Sequence, residues 1–447
     1  MLSNLLSFAS VMKTIGGVML AIVILLAMIT VHEFGHYIAG KLLGFKINEF
    51  AIGFGPAIFK KRSKRTGEKF SLRLLPLGGF CAFDGEDYDE EDARREEKKK
   101  KSVEEKDSPF EDFTESVSAD EVLEKTEEPV EKETVETHEK TQAEEEYPEP
   151  KGKRFNDQPP WKRIIVLIAG AAMNYLLALT LILAMFAFIG RPVYQVQEVA
   201  PTAEVTDDKA IASYNEGLQT GDVVLKLEGK TVYMLTDFVD ELNGKKEGET
   251  VEFLVLRDGK EQIVEVTLLE NADFANMSDT NTLLFSLGIA TRASIVNEDG
   301  ESAMQITRGG GLSPEYVKGG FFEIIGDCFI YSFKIGGSIL RSIGELITGK
   351  MPITNMGGPV TTIKVTSEAA SSGIESFLNI AAFIGVNLAV FNLLPVPALD
   401  GCKVIFCLFE WIFKKPINRK AELIINLVGI VFLLGFAILV DVLQFVL

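Results

Sequence analysis

Four long stretches of the chain contain no charged residue. They cover residues 15–31, 164–190, 377–399 and 423–440, and they are 17, 27, 23 and 18 residues long. At about 1.5 Å per residue in a helix, even the shortest extends about 26 Å, close to a hydrocarbon core about 30 Å thick. The pattern therefore predicts a membrane protein, mainly α-helical, with four transmembrane helices.

The first apolar run lies where a secretory signal sequence would lie. The polar residues His32, Glu33 and His36 follow it, at the place where a cleavage site needs small residues. We therefore expect this run to be retained as the first transmembrane helix.

The acidic residues are concentrated in one segment between the first two apolar runs. Residues 86–150 hold 27 acidic and 10 basic residues, a net charge of -17, which leaves -2 of the total of -19 for the rest of the chain. This Glu-, Lys-, Thr- and Ser-rich segment cannot bury enough apolar surface to fold. We expect a disordered insert over residues 86–155, either a solvated spacer or a regulatory docking tail. Nothing supports nucleic-acid binding.

Basic residues predict which side of the membrane each connection occupies. Residues 41–73 carry nine Lys or Arg, against Lys13 alone before the first run, and four more basic residues precede or begin the fourth run. By the positive-inside rule the connection between the first two spans is cytoplasmic. Both chain termini and the long connection between the second and third spans are then extracytoplasmic.

Shorter patterns predict three further structures outside the four spans. Residues 47–59 and 70–83 are apolar, contain glycines and are too short to span, so they predict two strands joined by a turn. Residues 195–269 predict a small α+β domain. Its elements are strands at 223–227, 251–256 and 263–268 and a helix near 237–242. Residues 320–350 predict an amphipathic helix on the membrane surface.

Two of the three histidines of the chain are spaced as metal ligands. The sequence HEFGH at residues 32–36 places His32 and His36 on one face of a helix, at the end of the first span. A zinc ion bound there lowers the pKa of a bound water, and Glu33 is placed to accept its proton. Ionisable groups inside a bilayer are costly and typically functional. The alternative is a hydrogen-bonded structural pair of histidines.

Catalytic zinc usually has three protein ligands, so a third must come from elsewhere in the chain. Asp400 closes the third apolar run, at the same depth as His36 if the first and third spans are parallel. Pro395 and Pro397 break the helix before it and let the chain approach the site. Asp400 is therefore the expected third ligand. A helix-end residue at the interface, or a thiolate from Cys402, is the alternative.

At these residues the sequence resembles the site-2 protease family of intramembrane zinc metalloproteases, in the bacterial branch that cleaves anti-sigma factors. HEFGH at residues 32–36 is similar to the HExxH motif of the family, and NLLPVPALDG at residues 392–401 is similar to its NxxPxPxLDG motif. The resemblance covers nearly the whole chain. It implies that His32, His36 and Asp400 bind Zn²⁺ and that Glu33 is the general base.

Further motifs extend the resemblance to substrate binding. The segments GFGP at residues 53–56 and PLGGF at 76–80 are similar to the membrane-re-entrant β-loop of the family. The second-span segment AGAAMN at residues 169–174 lacks the proline common in relatives. The resemblance implies that substrate is bound by Gly53, Gly55, Gly78, Gly79, Asn387 and Asn392.

The extracytoplasmic domain resembles a PDZ domain. The sequence EGLQTGDVV at residues 216–224 is similar to the GLxxGDxI pattern of bacterial PDZ domains, and one copy is visible. The resemblance implies a size filter for substrates or a peptide-binding module.

The expected division of the chain follows from these patterns. It comprises residues 1–85 with the zinc motif and β-loop, the insert 86–155, the second span 161–190, the PDZ-like domain 194–271, the segment 272–376 with the surface helix, and the third and fourth spans 377–447.

These patterns predict a multi-pass protein of the cell membrane, with its active site near the cytoplasmic face. Its expected activity is hydrolysis of peptide bonds within the membrane segments of single-span proteins, such as anti-sigma-factor-like proteins or signal-peptide remnants, in regulated intramembrane proteolysis. A metal or proton transporter and an inactive PDZ-containing scaffold are the alternatives. A transporter is expected to show inverted hydropathy repeats, and a scaffold to lack a motif residue; the sequence shows neither feature.

Overall fold

A computed structural model describes residues 2–86, 147–197, 217–296, 302–309, 311–415 and 417–446. Most of the predicted acidic insert, residues 87–146, lies outside the described residues. The helices are α1 (Leu2–Leu43), α2 (Pro160–Phe188), α3 (Leu235–Leu242), α4 (Thr280–Ser286), α5 (Phe321–Ile347), α6 (Pro359–Ser372), α7 (Ile374–Leu393), α8 (Asp400–Phe413) and α9 (Arg419–Val446). The strands are β1 (Ile47–Arg62), β2 (Lys69–Phe83), β3 (Arg191–Val196), β4 (Val223–Leu227), β5 (Lys230–Thr231), β6 (Thr250–Arg257), β7 (Lys260–Thr267), β8 (Ala290–Val296), β9 (Ser302–Gly309) and β10 (Leu312–Val317).

Four helices of the described chain are long and apolar enough to cross a membrane, so the four predicted spans are confirmed. They cover Ile15–Leu43, Pro160–Phe188, Ile374–Leu393 and Arg419–Gln444. The first helix continues beyond its charge-free run and carries both histidines. The third ends at Leu393, before the end of its apolar run, because Pro395 and Pro397 cannot continue a helix.

Small residues allow α2 to pack closely against α1 and α7. A Cβ atom added to Gly35 of α1 would lie 2.3 Å from the carbonyl oxygen of Ala169 in α2. Further along α2, a Cβ atom on Gly385 of α7 would lie 2.9 Å from the Cβ atom of Ala178. Both distances are too short for a side chain, so these glycines fix how closely the three helices approach.

Strands β1 and β2 form an antiparallel sheet in which each strand folds back on itself. Residues 49–52 of β1 pair with residues 69–72 of β2 on one side and with residues 79–82 on the other, and residues 59–62 also pair with 69–72. The two predicted strands are therefore present, and together they build a sheet four strands wide. Residues 79–82 form one outer strand of this sheet.

The chain between the second and third spans forms a soluble unit, which contains strands β3–β7 and β10 and helices α3 and α4. Its sheet has six strands: β10, β3, β4, β6 and β7 are neighbours in that order, and β5 pairs with β4. The predicted strands correspond to β4, β6 and β7, and the predicted helix to α3. Phe238 of α3 and Phe253 of β6 are fully buried in the core between them. The same core includes Leu283 and Leu287, so the folded unit extends past residue 271.

The charged face of α5 binds this soluble unit. The hydroxyl of Tyr233 donates a hydrogen bond to Asp327 of α5 at 2.6 Å, and Lys334 of α5 forms an ion pair with Asp237 of α3. Burial, together with the hydrogen bond to Asp327, raises the pKa of Tyr233, so its phenol keeps the proton that it donates. The soluble unit is therefore held against α5 by polar contacts.

The other faces of α5 are apolar. Tyr331 and Ile335 are buried in one cluster with Phe186 of α2 and Val386 of α7. A further face carries large exposed residues, including Phe322 and Phe333, which are 85% and 70% exposed. The predicted amphipathic helix is therefore present, and it joins the soluble unit to two of the spans.

Helix α9 contacts the rest of the protein at two separated points. A Cβ atom on Gly429 would lie 2.5 Å from Pro397, so the helix packs directly on the segment before α8. Near its other end, Asp441 accepts hydrogen bonds from the backbone N–H groups of Val360 and Thr361 at 3.0 and 3.2 Å. These amides belong to the first turn of α6, where backbone donors have no partner within the helix.

We expect Gly35→Ala to destabilise the bundle, because the added methyl group meets a backbone carbonyl that cannot move aside. The cost of overpacking is about 1–3 kcal/mol, and the midpoint of thermal unfolding in detergent should fall accordingly. Gly16→Ala is the matched control on the same helix, since a Cβ atom there meets nothing within 4 Å. Equal unfolding midpoints for the two variants would contradict this account of the packing.

Candidate active site

Side chains from two distant parts of the chain converge at one point. His32 and His36 lie one turn apart on α1, and Asp400 is the first residue of α8. Asp400 Oδ2 is 3.0 Å from His32 Nε2 and 3.3 Å from His36 Nε2, and the two Nε2 atoms are 3.1 Å apart. Both imidazoles are buried. The structure thus brings together the three residues that the sequence assigns to metal binding.

The neighbours of His36 determine where its proton lies. Its Nδ1 atom is 2.8 Å from the carbonyl oxygen of Val166, which can only accept, so Nδ1 carries the proton and donates it. The Nε2 atom of the neutral ring then directs a lone pair towards Asp400 Oδ2, which is also an acceptor. Two acceptors at this distance repel each other unless a proton or a metal ion lies between them.

The donor set and its spacing fit a zinc ion. Zinc binds nitrogen and oxygen ligands at about 2.0–2.1 Å in a tetrahedron, so neighbouring ligand atoms are about 3.4 Å apart. The three observed separations, 3.0, 3.1 and 3.3 Å, are close to this value. Two imidazoles and one carboxylate also leave a fourth position, as is typical of catalytic zinc sites.

Space for the two imidazoles comes from a glycine on the neighbouring span. A Cβ atom on Gly170 of α2 would lie 2.5 Å from His36 Nε2 and 2.8 Å from His32 Cε1. Any side chain at position 170 would therefore collide with both rings. The glycine at position 170 therefore both allows α1 to pack closely on α2 and leaves room for the two imidazoles.

The β-hairpin runs directly beside Glu33. The backbone N–H of Cys81, in the outer strand formed by residues 79–82, lies near the Glu33 carboxylate. A Cβ atom on Gly79 of the same strand would lie 3.4 Å from Glu33 Cγ. The strand therefore limits where this side chain can lie, next to the three convergent side chains.

An irregular segment carries the chain from α7 to Asp400. Helix α7 ends at Leu393, and α8 begins only at Asp400. Between them, Ala398 has a φ of 78°, in the left-handed region that an L-residue adopts at a cost of about 1–2 kcal/mol. Such strain is typical of functional sites and here turns the chain towards the histidines.

A cavity of about 500 Å³ lies beside the convergent side chains. It is lined by His32, Glu33, His36, Gly79, Phe80, Cys81, Ala82, Phe83, Glu86, Val166, Leu167, Asn392, Ala398, Asp400 and Lys403. The lining therefore combines the outer strand of the hairpin with the three convergent side chains and Glu33.

Two of the six residues expected to bind substrate line this cavity, namely Gly79 and Asn392. The other four are not among its lining residues: Gly53, Gly55, Gly78 and Asn387. The three glycines of this group have positive φ values, which glycine adopts without strain, and they serve the bends of the hairpin. The Oδ1 atom of Asn387 is buried and has no hydrogen-bond partner in the described part of the chain.

The sequence does not reveal the groups that orient the site. The Val166 carbonyl and the Cys81 amide belong to the backbone, so no residue type could indicate them. Asn174 of α2, whose amide nitrogen is 3.4 Å from His32 Nδ1, is a side chain that could have been found. The signal was its position as the polar residue closing the second-span motif.

Comparison with known proteins gives a consistent result. The chain is 27% identical to the regulator of sigma-W protease RasP of Bacillus subtilis (strain 168) over 435 residues, which covers 92% of this chain and 94% of the relative. It is also 27% identical to the zinc metalloprotease RasP of Bacillus licheniformis over 439 residues, covering 90% and 92%. Among solved structures, the PDZ domain of an SdrC-like protein from Listeria monocytogenes aligns with 27% of this chain and 90% of its own, at 16% identity and a TM-score of 0.13.

The profile of peptidase family M50 matches residues 20–436, a range that includes the part of α1 with both histidines, α7 and the irregular segment before α8. Both motifs of the convergent site lie within this match. The chain therefore belongs to peptidase family M50, the site-2 protease family, and is a zinc metalloprotease with several membrane-spanning helices.

Proposed function

We propose that the protein hydrolyses peptide bonds within the membrane segments of single-span membrane proteins. The observation that carries the proposal is the position of the convergent site. His32 and His36 lie on a membrane-spanning helix, and the cavity beside them is walled by an outer β-strand. A helix cannot expose its peptide bonds to such a site unless it unwinds, and an outer strand is the surface on which an unwound segment can bind.

In this proposal His32, His36 and Asp400 are the zinc ligands and Glu33 is the general base. A zinc ion held by these residues would polarise a peptide carbonyl and lower the pKa of a water molecule. Glu33 accepts the proton of the attacking water and passes it to the leaving amine nitrogen. The outer strand restricts this side chain during both transfers, since a Cβ atom on Gly79 would lie 3.4 Å from Glu33 Cγ.

Residues 79–82 bind the substrate as an added strand. Their inner side pairs with residues 49–52, while the same strand lines the cavity. Backbone hydrogen bonds to this strand would hold the substrate extended, with its carbonyl groups at regular spacing along the cavity. The Asn392 amide, which lines the same cavity, is placed to donate to the oxygen of the scissile carbonyl.

The substrates are anti-sigma-factor-like proteins or signal-peptide remnants that another protease has first shortened outside the membrane. This part of the proposal rests on the likeness to RasP of Bacillus subtilis, whose name describes a regulator of sigma-W. The soluble unit, PDZ-like in its sequence pattern, then acts as a size filter. The ion pair between Asp237 of this unit and Lys334 of α5 supports a fixed position of the unit relative to the spans.

The proposed orientation places the active site near the cytoplasmic face and the soluble unit outside. It rests on the nine Lys or Arg of residues 41–73, which directly follow the histidine motif. The exposed aromatic residues of α5, including Phe322 and Phe333, support a helix that lies in the outer membrane surface.

Replacing Glu33 by glutamine should abolish most of the proteolysis without loss of metal. The amide keeps the shape of the side chain but cannot accept the proton, so cleavage of a reconstituted membrane-spanning substrate should slow by about 100- to 10,000-fold. The measurement is the single-turnover cleavage rate in proteoliposomes. Glu368→Gln, an exposed position on α6, is the matched control. Cleavage by Glu33→Gln at the parental rate would remove Glu33 from the mechanism.

Metal analysis tests the ligand set independently of activity. Purified parental protein should hold close to one zinc per chain, and His36→Ala and Asp400→Asn should each lose most of it, because each removes one of three protein ligands. His138→Ala is the matched control, since it replaces the remaining histidine of the sequence. Full zinc content in both ligand variants would refute this assignment.

A further inference from the structure

Asn174 has an unusual environment for a polar side chain. It lies on α2, is 1% exposed, and its Nδ2 atom is 3.4 Å from His32 Nδ1. Its Oδ1 atom is buried and has no hydrogen-bond partner in the described part of the chain. Among the described side chains, the one hydrogen-bonding neighbour of this amide is therefore His32, a proposed zinc ligand.

The orientation of the amide determines which His32 nitrogen carries the proton. If Nδ2 faces Nδ1 of the neutral ring, it donates to a lone pair there, and the proton of the imidazole must lie on Nε2. That proton points at Asp400 Oδ2, 3.0 Å away, and occupies the lone pair that zinc would need. This arrangement excludes His32 as a ligand.

Rotating the amide by 180° exchanges its two terminal atoms and reverses this preference. Oδ1 then lies next to Nδ1 and accepts its proton, so that Nε2 is free to bind metal. The exchange also gives the buried oxygen a hydrogen-bond donor. Metal-binding histidines commonly donate their second N–H to an oxygen acceptor, which fixes both the tautomer and the plane of the ring.

We propose that Asn174 is the positioning residue for His32, with Oδ1 accepting the Nδ1–H hydrogen bond when the site holds zinc. The inference rests on the proposed ligand set. It gives the two histidines different partners: His36 donates to the fixed backbone carbonyl of Val166, whereas His32 donates to a side chain that can turn. Asn174 therefore selects the metal-binding form of one ligand without touching the metal.

Two substitutions of nearly the same size distinguish the effect of losing the hydrogen-bond acceptor from the effect of side-chain shape. Asn174→Leu removes the acceptor and should raise the zinc dissociation constant by about 10- to 100-fold, the usual cost of losing such a partner. Asn174→Asp presents only acceptor oxygens and should keep the constant within a few-fold of the parental value. Tyr175→Phe is the control, because it removes the neighbouring buried hydrogen bond to Ser332 and leaves His32 alone.

The dissociation constants are measured by competition with a chromophoric chelator on the full chain in detergent. The absorption spectrum of the cobalt-substituted protein gives a second readout, since its intensity follows ligand geometry. We expect the spectrum of Asn174→Asp to match the parental one and that of Asn174→Leu to change. A purely structural amide would produce no such difference between Asp and Leu.

Several outcomes would overturn the inference. Parental zinc affinity in Asn174→Leu would do so, and so would a loss of affinity in Asn174→Asp as large as that in Asn174→Leu. If the leucine variant does not fold, the aspartate variant decides alone: retained affinity supports the acceptor role, and weakened affinity refutes it. Failure of the ligand set itself is distinguishable, because then His36→Ala would bind zinc as tightly as the parental protein.

Discussion

Three potential metal-binding atoms within 3.3 Å of one another are the constraint on which the rest of the structure depends. Because both imidazoles are buried, such a cluster is costly unless a cation shared by all three atoms compensates it. Each ligand must therefore be held from outside the cluster. The fold provides the Val166 carbonyl for His36, a bent loop for Asp400, and a glycine on α2 that leaves room for both rings.

Backbone groups supply much of this support. A carbonyl of α2 orients His36, and a backbone amide of the hairpin lies beside the Glu33 carboxylate. Backbone atoms on paired strands and packed helices move less than side chains, and a backbone carbonyl is present whatever residue occupies the position. The site thus depends on a few side chains whose residue types indicate their chemistry, and on backbone groups that no residue type indicates.

The sequence predicted the parts of this arrangement that depend on residue type. Charge-free runs located the four spans, and the HEFGH and LDG motifs located the three residues that converge, because apolar content and ligand chemistry are properties of single residues. It did not predict that β1 and β2 fold back into a sheet four strands wide, since register depends on long-range pairing. It also did not separate Gly79, which lines the cavity, from Gly53 and Gly78, which serve the bends. All of them look alike in a glycine-rich motif.

The two contacts of α9 have a consequence for how the protein can move. One contact, at Gly429, lies on the segment just after α7, and the other, at Asp441, lies on α6 just before it. An α-helix is stiff along its axis, so the two attachment points stay at a constant separation. The last span consequently holds two parts of the chain at a constant separation, and the loop that presents Asp400 is mechanically linked to the first turn of α6.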